Sequence, residues 1–190
     1  WLRKGQIKGA FRKPEGLVHL LGDKSTEIIN KENHIRYKFD FTKIMFAKGN
    51  IHERNLLPKR IRKNSIIIDM FAGIGYFTLG IAKKSNPEKI YAIEWNPDSY
   101  KYLCENLKLN HVEEIVEPIF GDCKDIVPSL AKNGIKADYI IMGLFGIFSM
   151  GIGDGIYQLG VQTNGTAISI IVASSAPIIK TSLLNFANLI

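Results

Sequence analysis

The sequence predicts an α/β protein with a doubly wound parallel sheet. An apolar run at residues 65–68 leads into a glycine-containing turn at 69–75, and a second apolar run at 90–93 ends on an acid, Glu94. This order of strand, glycine turn, helix, strand and acid is typical of the first half of a nucleoside-binding sheet. The alternative is a sheet whose turn needs glycine for conformational reasons alone.

The turn also indicates the kind of nucleoside. Gly73 and Gly75 allow a tight turn and a close approach of the backbone to a ligand. Glu94 is placed to accept hydrogen bonds from two ribose hydroxyls. A dinucleotide fingerprint would have a third glycine where this chain has Thr78. The sequence therefore favours a nucleoside without a phosphate, and S-adenosylmethionine fits.

The remaining elements follow from turn residues and periodicity. Residues 96–99 form a helix start, because Asn96 can cap it and Pro97 suits the first helical position. The helix should stop around Asn110. Strands are predicted at residues 28–29, 34–41, 115–120 and 138–142, and the first crossover helix at 75–84.

Asp122 is expected at the same edge of the sheet as Asp69 and Glu94, the acids that end the first two strands. Asp122 follows the predicted strand at 115–120, and ligands of doubly wound sheets bind at the carboxyl ends of the strands. Its carboxylate would accept from the adenine amine, and the backbone N–H of Cys123 would donate to a ring nitrogen. The alternative is a turn-forming aspartate after Gly121.

Charge divides the chain into unequal parts. Residues 1–64 contain 16 Lys and Arg against 6 Asp and Glu, a net charge of +10, whereas residues 65–190 contain 9 against 12, a net charge of −3. The basic part, which includes a dense run at 59–63, is a candidate surface for a polyanion. A solvated face without a partner remains the alternative.

The last part of the chain has a different character. From residue 143 to 190 only Asp154 and Lys180 are charged. The stretches 143–161 and 166–179 approach the length of a membrane span when small residues are counted, so membrane association is possible only through this part. We expect it not to complete the sheet, although buried parallel strands are also continuously apolar.

The chain is thus divided into a basic β-rich segment (1–64), a nucleoside-binding domain (65–144) and an apolar tail of uncertain character (145–190). Cys104 and Cys123 have no metal-ligand spacing, and the four histidines stand alone. No metal is therefore expected, and reduced thiols favour a cytoplasmic location.

Several separated motifs carry a resemblance to a known family. Residues 39–54, 69–77, 94–97, 120–122 and 137–144 together resemble the tRNA wybutosine-synthesis protein 2 family, a sister of the tRNA guanine-N1 methyltransferases. The resemblance covers about residues 5–144 and is expected to stop at Leu144. It implies a class I S-adenosylmethionine-dependent transferase with a Rossmann-like sheet, which we expect to be incomplete in this chain. We also expect a monomer.

The resemblance also implies a reaction. The family transfers the 3-amino-3-carboxypropyl group of S-adenosylmethionine to a wybutosine precursor guanosine beside the anticodon of tRNA(Phe). The methyltransferases have an asparagine-containing loop after the fourth strand, whereas this chain has Gly143, which favours the wybutosine branch. The alternatives are a tRNA guanine-N1 methyltransferase and a non-catalytic fusion or membrane-protein fragment.

The resemblance implies cofactor contacts and no catalytic side chain. Arg54 is suited to hold the methionine carboxylate through a charge-assisted pair. Ala47 departs from the family, in which a serine is common, so a hydroxyl contact to the methionine part is lost. The predicted cofactor-binding residues are Ala47, Arg54, Asp69, Phe71, Gly73, Gly75, Glu94, Trp95, Asp122 and Cys123.

Overall fold

The computed structural model describes residues 1–9, 13–46, 50–143, 155–163 and 166–174. Its first part consists of short antiparallel strand pairs, as predicted. The strands are β1 (Leu2–Arg3), β2 (Ile7–Lys8), β3 (Lys13–Pro14), β4 (Leu17–Val18), β5 (Glu27–Glu32) and β6 (Ile35–Asp40). β1 pairs with β4, β2 with β3, and β5 forms a hairpin with β6.

The β5–β6 hairpin turns through Asn33 and His34, whose φ angles of 51° and 66° are left-handed. Two such residues in a row match the tight turn that follows the right-handed twist of paired strands. Along β6, Ile35, Tyr37 and Phe39 are buried at every second position. The hairpin therefore packs one face on the core.

A six-stranded sheet forms the body of the described residues. After α1 (Ile51–Leu56) and a 3₁₀ turn (Leu57–Arg60), the chain runs through β7 (Ile66–Asp69), α2 (Thr78–Ser85), β8 (Lys89–Glu94), α3 (Pro97–Asn110), β9 (Val116–Phe120), α4 (Cys123–Lys132), β10 (Tyr139–Gly143), β11 (Gly155–Thr163) and β12 (Thr166–Ser174). The strand order is β11-β12-β10-β7-β8-β9. All neighbours are parallel except β11, which is antiparallel to β12.

The predicted helix boundaries differ in accuracy. α3 begins at Pro97, Asn96 accepts a 3.0 Å hydrogen bond from the backbone N–H of Asp98, and the helix ends at Asn110, so this prediction is confirmed. α2 begins only at Thr78. The prediction of a helix from residue 75 is wrong at this end because Gly75 has a φ of 96°, which no right-handed helix contains.

The tail takes part in the sheet, contrary to expectation. β12 pairs in parallel with the whole of β10, from Tyr139 opposite Ser169 to Gly143 opposite Ala173, and β11 covers β12 on its other side. The apolar, small-residue composition is thus that of strands at 155–163 and 166–174. No helix among the described residues is long and apolar enough to cross a membrane. The predicted stretch at 144–154 and residues 175–190 lie outside the described residues.

The sheet separates two layers. Successive residues of β7 enter different clusters: Ile67 packs with α2, α3 and the hairpin, whereas Ile68 packs with α4. Ile141 and Ile140 of β10 divide in the same way. Both faces of β7 and β10 are therefore covered, which explains their continuous apolar runs.

Two asparagines of α3 hold the hairpin against the sheet. Asn106 accepts from the backbone N–H of Lys38 at 2.7 Å and donates to its carbonyl at 3.1 Å. One turn later, Asn110 does the same with Arg36 at 2.9 and 2.6 Å. Because the two side chains lie on one helix face, they satisfy the outer edge of β6 as a neighbouring strand would.

Candidate functional site

Three chain segments meet at the carboxyl ends of β7, β8 and β9. The first is the turn after Asp69, the second begins with Glu94, and the third contains Asp122. Parallel strands end at the same edge of a sheet, and open α/β sheets bind their ligands there. The structure thus brings together the three acids that the sequence assigned to this edge.

The glycine turn is filled from within by its own chain. Gly73 has a φ of 59°, and a Cβ there would lie 2.6 Å from the ring of Tyr76. A Cβ on Gly75 would lie 2.8 Å from Leu79. In this structure the two glycines let the turn fold closely over these side chains, in addition to any approach they allow to a ligand.

Glu94 connects the glycine turn to α3. Its Oε2 accepts from the backbone N–H of Gly73 at 2.7 Å, and its Oε1 accepts from that of Asn96 at 2.7 Å. Burial raises the pKa of the carboxyl, and the backbone hydrogen bonds act in the opposite direction. A carboxylate oxygen has two lone pairs, so acceptance from ribose hydroxyls is compatible with these bonds. The ribose contact itself stays a prediction.

Asp69 braces the turn from below. It is fully buried, its Oδ2 accepts from the Thr78 hydroxyl at 2.6 Å, and its Oδ1 accepts from the backbone N–H of Phe71 at 3.3 Å. Burial raises its pKa to about 6, and the charge of Glu94 adds to the rise. The geometry gives Asp69 a supporting position, and its predicted contact with a cofactor stays a prediction.

Asp122 caps α4. Its Oδ1 accepts from the backbone N–H of Lys124 at 2.9 Å. The next residue, Cys123, is buried, and this raises the pKa of its thiol to about 11. Its backbone N–H lies in the first turn of a helix, where N–H groups have no partner within the helix. The predicted adenine contacts of Asp122 and Cys123 stay predictions, and the capping bond supports the turn-forming alternative as well.

Aromatic surface borders this edge. Trp95 is 49% exposed and Phe120 is 53% exposed, and the ring of Phe120 lies 5.3 Å from that of Tyr100. Large exposed aromatic rings at strand ends offer a face on which a purine can stack. Sequence reasoning assigned Trp95 to the site but missed Phe120, although its position as the last residue of a predicted strand was visible.

Arg54 forms an ion pair with Glu32, a partner that the sequence did not predict. Its Nε lies 2.7 Å from Oε1 of Glu32, and its Nη2 lies 2.7 Å from Oε2. The guanidinium also lies over the ring of Phe46, 5.2 Å from its centroid. Binding of a methionine carboxylate by Arg54 stays a prediction. Ala47 lies outside the described residues.

Glu53 is a further residue that sequence reasoning missed. It is buried, and its Oε2 has no hydrogen-bond partner among the described residues. An unpaired buried carboxylate oxygen is costly and is often found where function requires it. The signal that could have found it is its place beside Arg54, inside one of the motifs that carry the resemblance.

The described residues contain no group of histidine, cysteine and acidic side chains that could hold a metal ion. The expectation that no metal takes part therefore stays a prediction.

The fold defines a class of protein: it is the Rossmann-like sheet of S-adenosylmethionine-dependent methyltransferases, and the site lies where such sheets bind their ligand. A model of the TRM5/TYW2 methyltransferase domain matches residues 28–171. The chain therefore belongs to this family, as the motifs predicted. The match continues past Leu144 into β12, so the expectation that the resemblance ends there is wrong.

Two relatives illustrate the branches of the family. The chain is 46% identical over 138 residues to the tRNA(Phe) (4-demethylwyosine(37)-C(7)) aminocarboxypropyltransferase of Methanocaldococcus jannaschii, covering 73% of this chain and 52% of the relative. It is 40% identical over 144 residues to the tRNA (guanine(37)-N(1))-methyltransferase Trm5b of Pyrococcus abyssi, covering 76% of this chain and 40% of the relative. The chain thus spans about half the length of these relatives, or less.

Solved structures agree with this assignment. The chain matches M. jannaschii TYW2 in complex with AdoMet with a TM-score of 0.58 and 45% identity, over 65% of this chain and 54% of that one. It matches aTrm5 in complex with tRNALeu with a TM-score of 0.65 and 37% identity, over 75% of this chain and 39% of that one.

Proposed function

We propose that this chain is the catalytic part of a tRNA-modifying enzyme that transfers the 3-amino-3-carboxypropyl group of S-adenosylmethionine to a wybutosine precursor guanosine in tRNA(Phe). The observation that carries the proposal is the buried Glu94 carboxylate bound to the glycine turn, in a chain that is more similar to an aminocarboxypropyltransferase than to Trm5b. The site offers complementary groups for each part of the donor.

The donor would lie along the carboxyl edge of the sheet. Glu94 accepts from the ribose hydroxyls, and the exposed rings of Trp95 and Phe120 border the adenine beside Asp122. Arg54 holds the methionine carboxylate at the other end. This orientation satisfies the diol and the carboxylate with side chains of suitable charge.

The reaction needs orientation more than acid–base chemistry. A ring carbon of the base attacks the methylene carbon next to sulfur, the carbon–sulfur bond breaks, and its electron pair stays on sulfur in the leaving 5′-methylthioadenosine. The attacked base then loses a proton from the new bonding position. A sulfonium activates three carbons, so the one held in line with the nucleophile reacts.

The tRNA would be attracted by cations far from the reacting carbon. Lys59 and Arg60 are exposed in the 3₁₀ turn that precedes β7 by five residues, and Lys84 in the last turn of α2 lies within electrostatic range of Lys59. Burial lowers the pKa of Lys84, the charge of Lys59 lowers it further, and the charge of Glu32 acts in the opposite direction. The chain enters β7 at Ile66, and the four residues of β7 rise about 13 Å from there to Asp69, so this cluster lies toward the amino-terminal edge of the sheet.

Salt dependence tests this part of the proposal. Replacing Lys59, Arg60, Arg62 and Lys63 with glutamine should weaken tRNA binding and reduce its salt dependence, because fewer counterions are released. Binding of S-adenosylmethionine should not change, since the cluster is at the opposite edge. Unchanged tRNA binding at low salt would favour a solvated face. The monomeric state and the cytoplasmic location stay predictions.

The second candidate is tRNA guanine-N1 methylation, which the family match and the 40% identity to Trm5b favour. Two labels distinguish the reactions. Donor labelled in the carboxyl group should mark the tRNA, whereas donor labelled in the methyl group should leave it unmarked. The reverse pattern would assign the methyltransferase, and label from neither donor would refute transfer by this chain.

A further inference from the structure

Glu32 and Arg54 form an ion pair that is almost completely removed from water. Their side chains are 9% and 2% exposed, and two parallel hydrogen bonds of 2.7 Å join them. A bidentate pair fixes the plane of the guanidinium as well as its position. Burying two charges costs free energy that an apolar contact would not, so the chain maintains this arrangement at a cost to its stability.

Arg54 is linked to the glycine turn by a row of rings. Its guanidinium lies over Phe46, and the ring of Phe46 lies 5.7 Å from that of Tyr76, the ring that fills the space above Gly73. Burial raises the pKa of the Tyr76 hydroxyl, the charge of Arg54 lowers it and that of Glu94 raises it. Arg54 and Glu94 therefore both lie within electrostatic range of one hydroxyl beside the turn.

Glu32 projects from a backbone that is fixed at several points. It is the last residue of β5 and pairs with Ile35 across the hairpin. The outer edge of β6 is bonded to Asn106 and Asn110 of α3. At the other end of β5, Glu27 accepts from the Tyr102 hydroxyl at 2.7 Å. The hairpin is thus a rigid support from which Glu32 reaches Arg54.

We propose that Glu32 is a positioning residue that orients the Arg54 guanidinium against the methionine carboxylate of the donor. In this way Glu32 determines which carbon on sulfur faces the nucleophile, and therefore which group is transferred. This inference rests on the proposed function, because it requires the donor to bind with its carboxylate at Arg54. A guanidinium held by a second carboxylate cannot turn to follow a displaced ligand. The methionine arm is therefore kept in one orientation.

Two ligands isolate this role. S-adenosylmethionine has the carboxylate, whereas 5′-methylthioadenosine has the same nucleoside and S-methyl group, on a neutral sulfur, without the aminocarboxypropyl arm. Calorimetry on Glu32→Gln should show S-adenosylmethionine bound about tenfold more weakly or worse, the range for losing a hydrogen bond to a charged group. Binding of 5′-methylthioadenosine should stay within about twofold of the wild-type value.

Glu27→Gln is the matched control. It removes a charge from the same strand and weakens the anchor to Tyr102, but it does not contact Arg54. It should leave the affinity ratio of the two ligands unchanged, even if the protein melts earlier. In the two-label assay, Glu32→Gln should raise the share of methyl label transferred to tRNA, whereas Glu27→Gln should not.

Equal weakening of both ligands by Glu32→Gln, or no change in either, would overturn the inference and leave the proposed function standing. Failure of the wild-type chain to bind S-adenosylmethionine would refute both the inference and the proposed function. If Glu32→Gln does not fold, Glu32→Asp replaces it, since it keeps the charge and shortens the side chain. It should show a smaller loss confined to S-adenosylmethionine, and an unchanged affinity ratio would again refute the role.

Discussion

The ribose contact of Glu94 can be separated from its structural bonds by changing ligand and protein together. Glu94→Gln keeps the size of the side chain but removes its charge. 5′-Methylthioadenosine and its 2′-deoxy analogue differ by one hydroxyl. If Glu94 accepts from that hydroxyl, the wild type should prefer the full ribose by about 1.5–3 kcal/mol, the value of a hydrogen bond to a charged group. In Glu94→Gln most of this preference should disappear.

The structure also predicts an effect on folding. Glu94 accepts from the N–H groups of Gly73 and Asn96, and a glutamine has only one oxygen with which to accept. One buried N–H loses its acceptor, so the free energy of unfolding should fall by about 1–3 kcal/mol. Urea unfolding measures this loss.

The affinities for the two ligands test whether Glu94 binds the ribose, even if Glu94→Gln also lowers the free energy of unfolding. A double-mutant cycle compares the four affinities and cancels any general weakening of the site. If wild type and Glu94→Gln discriminate equally between the two ligands, Glu94 does not accept from the 2′-hydroxyl. Its role would then be limited to holding the glycine turn on α3.

Three further variants test the described geometry. Burial raises the pKa of Asp69 to about 6, above the unfolded value near 3.8. Protonated Asp69 therefore favours folding at low pH, and this contribution is lost as the pH rises through 6. In Asp69→Asn the free energy of unfolding, measured with urea at several pH values, should no longer show this loss of about 3 kcal/mol. Glu53→Gln should raise the unfolding free energy by about 1 kcal/mol, because Oε2 of this buried side chain has no hydrogen-bond partner among the described residues and the variant removes the charge; a drop would show that the oxygen has a partner. Asn106→Leu should lower it by about 2–4 kcal/mol, because the backbone groups of Lys38 and Ile74 lose their partner; a change below about 0.5 kcal/mol would contradict this.

Local patterns predicted the first half of the sheet well. The strand before the turn, the acid at the end of β8 and the asparagine cap of α3 are each set by residues within a few positions of one another. Such signals depend on burial periodicity and on side-chain bonds to nearby backbone groups. Even here the start of α2 was misplaced, because Gly75 has a φ of 96° and the helix begins only at Thr78, which the apolar pattern does not reveal.

Long-range contacts were not predictable in the same way. The pair of Glu32 with Arg54 joins two elements that only the fold brings together. The sequence predicted a cofactor contact for Arg54, whereas Glu32 alone is indistinguishable from an ordinary surface charge. The bonds of Asn106 and Asn110 to β6 span about 70 residues, and in a helix pattern these positions look neutral. The tail was misread because small apolar residues are equally compatible with buried strands and with membrane segments.

Glu94 and Arg54 have opposite charges, and we expect both to contact the donor, whose product depends on its orientation. Glu94 is fixed by the backbone of the turn and of α3, and Arg54 is fixed by Glu32 on a hairpin that α3 also holds. The residues expected to bind the two ends of the donor would therefore both be held in place by α3. Because a sulfonium carries three reactive carbons, a change in the angle between these two supports would alter which carbon meets the base. Methyl and aminocarboxypropyl transfer could then be exchanged within one fold without a new acid or base, which is the relation expected between the two branches of this family.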